Sequence, residues 1–499
     1  MLIFRRFRTQ DIAPPVHPPA PPAGAVDPQN VRSVFAGCED LLVRSAAAGG
    51  TDVAADVFWL DGTVSSSDIA EQILRPLTDP ARFGGVKTPA DVLALLEAGA
   101  VYGGNMRVTS SLDELADALS FGSCAVVFDG TAVLYELLTD QRRSVQEPTI
   151  EKSVKGGKDA FVESLRVNTG LVRSRLRTPK LKLSQVVVGR KSHTAAAILW
   201  LEGAAAPDVP QEVKRRLTGL DADGLVLPDA VDSLLSDAPR SPFPQVLHTE
   251  RPDKLAAALQ DGQTALLVEG LPLAFVTPAT LPALLRTGED DAQHFLPASC
   301  LRLLRWSALF LSLLLPALYL ATAMYHAEMI SAELLLSVIA SKQSVPFSTA
   351  AEILGMLLAF ELIQEAGLRL PDPVGHTISI IGALIVGQSA VEAKVISPIA
   401  VIVVALAGIA GYTMPSQDLG AALRICRFGL AAAGALAGMF GVVLGAALLL
   451  WHLCSLECFG RAYLPVGRSA GRPGILRRPP WRENVRDPAL CGYDRRRRA

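Results

Sequence analysis

Residues 306–325 read WSALFLSLLLPALYLATAMY, a run of twenty residues without a charged side chain. A helix of about 20 apolar residues is long enough to cross a hydrocarbon core of about 30 Å. Two more apolar runs follow: Ile378–Tyr412, where only Glu392 and Lys394 are charged, and Phe428–Cys454, which has no Asp, Glu, Lys or Arg. The hydrophobic core of a water-soluble protein does not require three such apolar runs in succession. The sequence therefore predicts an integral membrane protein whose function lies where its polar part meets the membrane.

The chain has two parts of unlike composition. Its 499 residues carry a net charge of −2, but the first 300 resemble a soluble protein and the rest is apolar with a basic end. The seven cysteines form no CxxC pair, so neither a zinc site nor a disulfide framework is indicated. The basic start lacks the apolar core of about 7–15 residues that a secretory signal needs. We therefore expect the soluble part to lie in the cytoplasm.

Composition and patterning predict six segments. Prolines dominate the first of them, which cannot bury enough apolar surface to fold. The segments are a disordered tail (1–30), a cytosolic α/β subdomain (31–146), a helical connector (147–182), a second α/β subdomain (183–296), an all-α transmembrane domain (297–460) and a basic cytoplasmic tail (461–499).

The two soluble subdomains are expected to be copies of one another. The strand-and-turn pattern of Val57–Gly62 is repeated at Ile198–Gly203. A predicted hairpin with its turn at Gly130 is likewise repeated, with its turn at Gly270. The offsets are 203 − 62 = 141 and 270 − 130 = 140 residues. Two matches at nearly one offset indicate a duplicated unit.

The connector between the copies is predicted to contain an amphipathic helix. The Gly156-Gly157 pair is not part of a Walker phosphate-binding motif, GxxxxGK(S/T), and indicates a turn instead. The basic face can be a solvated surface, or it can meet a neighbouring subunit or anionic lipid. Its apolar residues are Phe161, Leu165, Leu171, Val172 and Leu176, and its basic residues are Arg166, Arg173, Arg175 and Arg177.

The distribution of Lys and Arg predicts that both ends of the membrane domain are cytoplasmic. Arg302 and Arg305 precede the first apolar run, and the tail after Gly460 has eleven Arg against three acidic residues. An even number of crossings is required, and we expect four, at about 303–325, 349–364, 378–412 and 425–454. Ser397-Pro398 interrupts the third, so part of it can be re-entrant. The short apolar segment 333–340 is expected at the interface.

Small residues four apart in the last apolar run allow close approach between helices. Glycine is common in such helices, so the alternative is that these residues have no special role. The spacing occurs at Gly434, Gly438, Gly441 and Gly445.

Ionisable residues at membrane depth are costly and are therefore candidate functional residues. Glu361 and Glu365 share one helix face, and Glu365 is expected to pair with Arg369 while Glu361 lies deeper. Glu392 and Lys394 can form a buried pair or belong to a hydrophilic path. Acidic rings contributed by several subunits would favour cations. The candidate ion path consists of Glu361, Glu365, Glu392 and Lys394, and Glu352 is a further intramembrane carboxylate.

A series of motifs, in order along about residues 50–465, resembles the GerA/SpoVAF family, the A subunits of spore germinant receptors. The matching words include FVESLRVN at 161–168, RSRLRTP at 173–179, IIGALIVGQSAV at 380–391 and Ser397-Pro398. The motif residues that we expect to couple the two parts of the chain are Glu250, Arg251, Pro252, Asp253, Arg302, Arg305, Pro316, Arg369 and Pro371.

The resemblance implies a multi-pass protein of the spore inner membrane, with both termini cytoplasmic, that forms a homo-oligomeric, germinant-gated cation channel. Its implied partners are a B-type transporter-like subunit, a C-type lipoprotein and the lipid bilayer, without nucleic acid or a cofactor. Two positions depart from the family. Ser331 stands where Pro is usual, and Lys394 stands where a small residue, often Gly, is usual.

Three alternatives to the receptor channel remain. A SpoVAF-type paralogue would modulate germination. A secondary transporter would carry inverted repeats among its spans, and the repeat lies in the soluble part instead. A membrane-anchored enzyme would need a catalytic or phosphate-binding constellation, so we expect no enzymatic activity.

Overall fold

A computed structural model of the chain describes residues 25–101, 105–128, 130–137, 148, 151, 156–220, 223–224, 227–369 and 387–464. The main part of the predicted Pro-rich tail, the basic tail from residue 465, Pro371 and the first part of the predicted third span lie outside the described residues. The chain divides into two compact units. The first is built mainly from residues up to 140, and the second contains most of the remainder.

The first unit is a five-stranded sheet in the order β1-β2-β4-β5-β3. Neighbouring strands are antiparallel, with Leu41 opposite Leu60 and Cys124 opposite Tyr135. Its strands are β1 (Leu41–Ala47), β2 (Ala54–Leu60), β3 (Met106–Thr109), β4 (Ser123–Phe128) and β5 (Thr131–Glu136).

Helices cover this first sheet, and their start signals are explicit in the sequence. A capping box of Thr88 and Asp91 begins α5, and the Ser111 hydroxyl caps α6. The helix that follows β2 contains one π-helical turn, Ile69–Leu74. The helices are α1 (Pro28–Val34), α2 (Ser66–Asp68), α3 (Arg75–Leu77), α4 (Pro80–Phe83), α5 (Pro89–Glu97) and α6 (Leu112–Ser120).

The second unit begins with a second five-stranded sheet, in the order β6-β7-β9-β10-β8. Its strands are β6 (Leu181–Val188), β7 (Thr194–Leu201), β8 (Leu247–Thr249), β9 (Thr264–Val268) and β10 (Ala274–Thr277). Its helices are α7 (Leu165–Arg175), α8 (Asp208–Thr218), α9 (Pro228–Leu235), α10 (Pro252–Gln260), α11 (Leu281–Leu284) and α12 (Glu289–Ala292).

Both sheets have the same strand order, as a duplicated unit requires. Gly62 and Gly203, and likewise Gly130 and Gly270, all have positive φ between 79° and 86°. Only glycine adopts such angles without steric cost, which explains why these four residues carry the repeat in the sequence. The soluble region therefore contains two α/β units whose sheets have the same strand order.

The connector helix differs from its predicted pattern at one position. Leu165 and Val172 of α7 are buried as expected, but Arg173 is also buried, with no exposed surface. Arg173 is therefore not part of a basic outer face, whereas Arg166, Arg175 and Arg177 are exposed. The sequence pattern missed this because an arginine at an inward position is indistinguishable from its neighbours without the tertiary contacts.

Among the residues that the structure describes, the membrane part includes five helices with defined bounds. They are α13 (Phe295–Tyr325), α14 (Ala332–Lys342), α15 (Thr349–Arg369), α16 (Pro398–Tyr412) and α17 (Gln417–Ser455), and a short two-stranded ribbon follows, β11 (Glu457–Cys458) and β12 (Arg461–Ala462). Among the described residues, α13 and α17 are long and apolar enough to cross a membrane, while α16 is shorter. Ser397 caps α16 at the predicted Ser-Pro interruption.

Helix α17 is folded back on itself, so the segment predicted as one crossing at 425–454 consists of two limbs. Gly438 has φ 58° and ψ −142°, which are not helical angles. A Cβ at Gly445 would lie 2.7 Å from Leu430 Cδ2, although 15 residues of straight helix would separate them by about 22 Å. Residues 417–437 and 439–455 are therefore antiparallel limbs, which we call the membrane hairpin.

The four spaced glycines lie at the close contacts of the membrane hairpin. A Cβ at Gly434 would lie 2.7 Å from the Ala317 carbonyl oxygen of α13, and one at Gly438 would lie 3.0 Å from Tyr325 Cβ. Gly441 faces Ala433 of the opposite limb, and Gly445 faces Leu430. The glycines thus bring the two limbs and α13 together.

We predict that Gly438→Ala destabilises the protein by roughly 1–3 kcal/mol, because alanine is strained at this φ and ψ and its Cβ meets Tyr325. The matched control is Gly429→Ala in the same helix, where a Cβ would meet nothing within 4 Å. That change should be neutral or stabilising by up to about 1 kcal/mol. Thermal unfolding in detergent measures both, and equal effects would contradict the fold-back at Gly438.

Candidate functional site

His248 joins the second sheet to the first limb of the membrane hairpin. It lies in β8, and its Nε2 is 2.7 Å from Asp232 Oδ1 of α9 while its Nδ1 is 3.0 Å from Asp418 Oδ2 of α17. Both partners are acceptors, so both ring nitrogens donate and the ring is an imidazolium. Burial alone lowers the pKa of His248, but the hydrogen bonds to Asp232 and Asp418 outweigh it and raise the pKa to about 9.

The second limb of the membrane hairpin returns to the same sheet. A hydrogen bond of 2.9 Å joins His452 Nε2 to Ser241 Oγ, and the Phe243 ring packs 6.0 Å from the His452 ring. Beyond the helix, Phe459 N–H donates to Asp237 Oδ2 at 2.6 Å. Both ends of the hairpin are therefore bonded to the second sheet region, which explains why the hairpin must fold back.

Helix α13 enters the membrane part through a buried ion cluster. Asp290 is 1% exposed and accepts two hydrogen bonds from Arg305, at 2.7 and 2.9 Å, and one from Arg302 at 3.2 Å. Burial raises the pKa of Asp290, but Arg305, Thr287 and Arg302 together bring it below its ordinary value. The two arginines that the sequence placed before the first span thus bind a carboxylate of the soluble region.

The motif residues 249–253 organise the approach to this junction. Glu250 accepts the Glu151 N–H at 2.6 Å, while the Glu151 carboxylate accepts hydrogen bonds from Thr249 Oγ1 at 2.6 Å and Lys254 Nζ at 2.5 Å. Arg251 donates twice to Asp253, and Pro252 is the first residue of α10. The N-cap is Arg251, and Thr249 Oγ1 accepts the Arg251 N–H at 3.1 Å.

A cleft of about 170 Å³ lies where these elements meet. Its lining includes Glu151, His248, Lys254, Ser416 and Asp418. Charged groups of both signs face this space, and most of them are already paired with each other. The cleft is therefore part of the contact between the second sheet region and the membrane hairpin.

The predicted intramembrane residue Glu361 is neutralised by two arginines of the hairpin. Its carboxylate accepts hydrogen bonds from Arg427 Nη2 at 2.6 Å and from Arg424 Nη1 at 3.3 Å. Arg427 is 2% exposed. A buried charge is tolerated when it is paired, so this cluster holds α15 against α17 and carries a net positive charge.

Glu352 is the most buried of the three carboxylates in α15, where Glu361 is intermediate and Glu365 is exposed. Its side chain has no exposed surface. One carboxylate oxygen, Oε2, accepts hydrogen bonds from Ser397 Oγ at 2.9 Å and Ser397 N–H at 3.3 Å. Glu352 therefore holds the start of α16.

The other predicted site residues are dispersed. Pro316 is buried inside α13. Glu365 lies in α15, and the predicted pairing with Arg369 falls on a side chain outside the described residues. Glu392 and Lys394 are both exposed on the single chain, so they are not a buried pair, and Glu392 accepts from Gln388 at 2.9 Å.

Lys394 adopts a backbone conformation that favours glycine. Its φ is 54°, in the left-handed region where a side chain is disfavoured. This explains why a small residue suits the position, and the lysine there is a local cost rather than an evident ligand.

Sequence reasoning missed four of the residues that form these contacts: Asp232, His248, Asp290 and Asp418. They stand in polar segments where a charged residue gives no signal of its own. Arg424 and Arg427 were detectable, because they lie three residues apart at the start of an apolar run. Among the described residues, no group of three or more His, Cys, Asp or Glu could hold a metal ion. The described contacts link charged elements of the second sheet region to the membrane helices.

We predict a pH-dependent stability contribution from His248. Its folded pKa of about 9 exceeds the ordinary value of about 6.5. The contribution is therefore complete below pH 6.5 and disappears as the pH rises through 9. His248→Gln should cost on the order of 2 kcal/mol at pH 6, and this difference should vanish near pH 9.5.

Thermal unfolding of both proteins across this pH range measures the effect. His193→Asn is the matched control, since His193 is exposed and has a positive φ that asparagine tolerates. A His248→Gln cost that stays constant with pH would contradict the imidazolium bridge.

We also predict that Asp290→Asn destabilises the protein by roughly 3–5 kcal/mol, because it removes the buried carboxylate that Arg302 and Arg305 share. Asp261→Asn removes the half-exposed pair with Arg286 and should cost less than about 1 kcal/mol. Denaturation of the two variants side by side tests this, and equal costs would show that the cluster is not a buried ion pair.

The sequence matches the family described as "Bacillus/Clostridium GerA spore germination protein" over residues 29–489. It is 33% identical over 463 residues to "Uncharacterized membrane protein YfkQ" of Bacillus subtilis (strain 168), which covers 91% of this chain and 88% of that protein. It is also 33% identical over 463 residues to "Spore germination protein KA" of the same organism, covering 91% and 84% respectively.

The crystal structure of the N-terminal domain of the A subunit of the Bacillus megaterium spore germinant receptor GerK3 is similar, with a TM-score of 0.40 and 26% identity. The structural match covers 51% of this chain and 93% of the chain in that crystal structure.

The family match covers almost all of the described residues, and the relatives at 33% identity span nine-tenths of the chain. The soluble sheets, the junction and the membrane helices all fall within it. The chain therefore belongs to the Bacillus/Clostridium GerA spore germination protein family.

Proposed function

We propose that this chain is the A-type subunit of a nutrient germinant receptor and acts as an oligomeric, germinant-gated cation channel in the spore inner membrane. A transporter-like B subunit and a C-type lipoprotein are its proposed partners. A role in spore germination rests on the family and on relatives named as spore germination proteins. The activity as a cation channel is a more specific proposal than a role in germination. The arrangement of the junction and of the intramembrane charges supports it.

The observation that carries the proposal is that both ends of the membrane hairpin are bonded to the second sheet region. His248 binds Asp418 at the start of the hairpin, and Ser241 binds His452 near its end. A displacement of the sheet region would therefore move both limbs together. Such a rigid connection can transmit a signal from the soluble part to the packing of α13, α15 and α17.

The hairpin also supports a topology with both termini on one side. The limbs contain 21 residues (417–437) and 17 residues (439–455), or about 31 Å and 25 Å of helix. Each is close to the thickness of a hydrocarbon core, about 30 Å. A hairpin that crosses and returns begins and ends on the same side of the membrane, so both termini lie on one side when the number of crossings before residue 417 is even.

The charges of the membrane part favour a path between copies of the chain. Glu361 is already neutralised by Arg424 and Arg427 within one chain. Glu392 is exposed on the single chain, so a ring of several chains would bring copies of its carboxylate together. An acidic ring concentrates cations at a pore.

The proposal is tested by nutrient-triggered K⁺ efflux from spores that lack their own receptors and carry this chain with its B- and C-type partners. We predict that Glu361→Gln lowers the efflux rate at least about tenfold, because it leaves two arginines uncompensated and repels cations. Glu361→Gln combined with Arg427→Gln should recover part of the rate. Glu457→Gln, at an exposed glutamate of β11, is the control and should leave efflux unchanged.

Two results would contradict the proposal. Normal efflux in spores without this chain would reduce it to a modulator of germination, which is the paralogue alternative. Normal efflux from the Glu361→Gln variant would remove the charge cluster from the path.

A further inference from the structure

Two buried oxygen atoms in the surroundings of Glu352 have no hydrogen-bond partner among the described residues. Ser397 satisfies Oε2, but Oε1 is buried and has no hydrogen-bond donor among the described residues. The Tyr319 hydroxyl is also buried without a hydrogen bond of normal geometry in the described part of the chain. It interacts electrostatically with Glu352 and lies within reach of Ser397. The two unsatisfied oxygen atoms, one of them anionic, therefore belong to side chains that both lie beside Ser397.

Such a pair is not expected from packing alone. Buried polar groups are almost always hydrogen-bonded, so each unsatisfied one calls for an explanation. A buried carboxylate without full compensation is especially costly. Oxygen atoms of carboxylates and hydroxyls are the ligands that hard cations prefer. The unsatisfied atoms therefore match a small monovalent cation, whose single charge would neutralise the carboxylate.

A tethered cation already lies next to this site. Lys342 Nζ is 3.9 Å from Glu352 Oε1, which is beyond hydrogen-bond distance, and it donates a hydrogen bond to Thr349 Oγ1 instead. The lysine thus compensates the charge of Glu352 without satisfying Oε1. A free cation and the Lys342 ammonium would compete for the same carboxylate, since their two positive charges together would exceed its single negative charge.

Helix α14, which carries Lys342 as its last residue, is poorly packed on the rest of the chain. Val338 is its buried residue, whereas Leu334, Leu336 and Ile339 are 53%, 68% and 48% exposed. Few apolar contacts hold this helix, so it is among the elements that can move at low cost. Movement of α14 would withdraw the ammonium and leave Glu352 to another cation.

We propose that Glu352 and the Tyr319 and Ser397 hydroxyls form a monovalent-cation site inside the membrane part, and that Lys342 is its displaceable, tethered occupant. The inference deepens the proposed channel function and rests on it. Opening would exchange the ammonium of α14 for a free cation at Oε1.

The first test measures binding and does not depend on conduction. We expect K⁺ to raise the Tm of purified Lys342→Met by roughly 3–6 °C relative to N-methylglucammonium at equal ionic strength. The shift should be smaller in the unaltered protein, where Lys342 competes, and absent from Lys342→Met combined with Glu352→Gln. Lys191→Met, at a surface lysine that is 77% exposed, should behave like the unaltered protein.

The second test is K⁺ efflux from the receptor-deficient spores described above. Lys342→Met should release K⁺ without nutrient, whereas Lys342→Arg should retain the requirement. A folded Lys342→Met protein with no K⁺-dependent shift in Tm would overturn the cation site. If the unaltered chain supports no efflux while the shift in Tm is present, the channel function fails and the site stands.

Discussion

The fold-back of α17 at Gly438 is the constraint on which the membrane part depends. It requires a residue without a side chain, because φ and ψ there are accessible almost only to glycine and Tyr325 packs directly against the turn. Once the helix turns, its two limbs become each other's packing partners and α13 fills the groove beside them. The same turn returns the chain to the second sheet region, so one glycine determines both the packing and the connection to the soluble part.

Charge pairing decides where this connection is made. His248 bridges carboxylates from the sheet region and the hairpin, and Asp290 binds both arginines at the start of α13. Asp290, Arg302 and Arg305 are largely buried, whereas Asp418 is half-exposed, so breaking a pair is most costly in the Asp290 cluster. The contacts are therefore strong in one geometry and costly in intermediate ones. That property suits a joint between a soluble region and membrane helices.

Inside the membrane part the same rule leads to two different outcomes. Glu361 is held by Arg424 and Arg427 and ties α15 to the hairpin. Glu352 has one oxygen satisfied by Ser397, while the other faces Lys342 across a gap that no hydrogen bond closes. In the first cluster both carboxylate oxygens accept hydrogen bonds, whereas in the second one carboxylate oxygen accepts none among the described residues. This difference is why we propose a cation site at Glu352 and an effect of Glu361 through the arginines that it pairs with.

The sequence by itself determined the glycine-bearing turns of the duplicated unit, the two long apolar helices and the family. Periodicity, capping residues and glycine-bearing turns are local signals, and the family motifs are read along the chain. The tertiary structure decided the hairpin at Gly438, the buried position of Arg173 and the partners of His248, Asp290 and Glu352. These depend on contacts between residues 12 to 170 positions apart. A charge carries no mark of its partner until the chain has folded, because pairing is set by distance in space and by the loss of water around both groups.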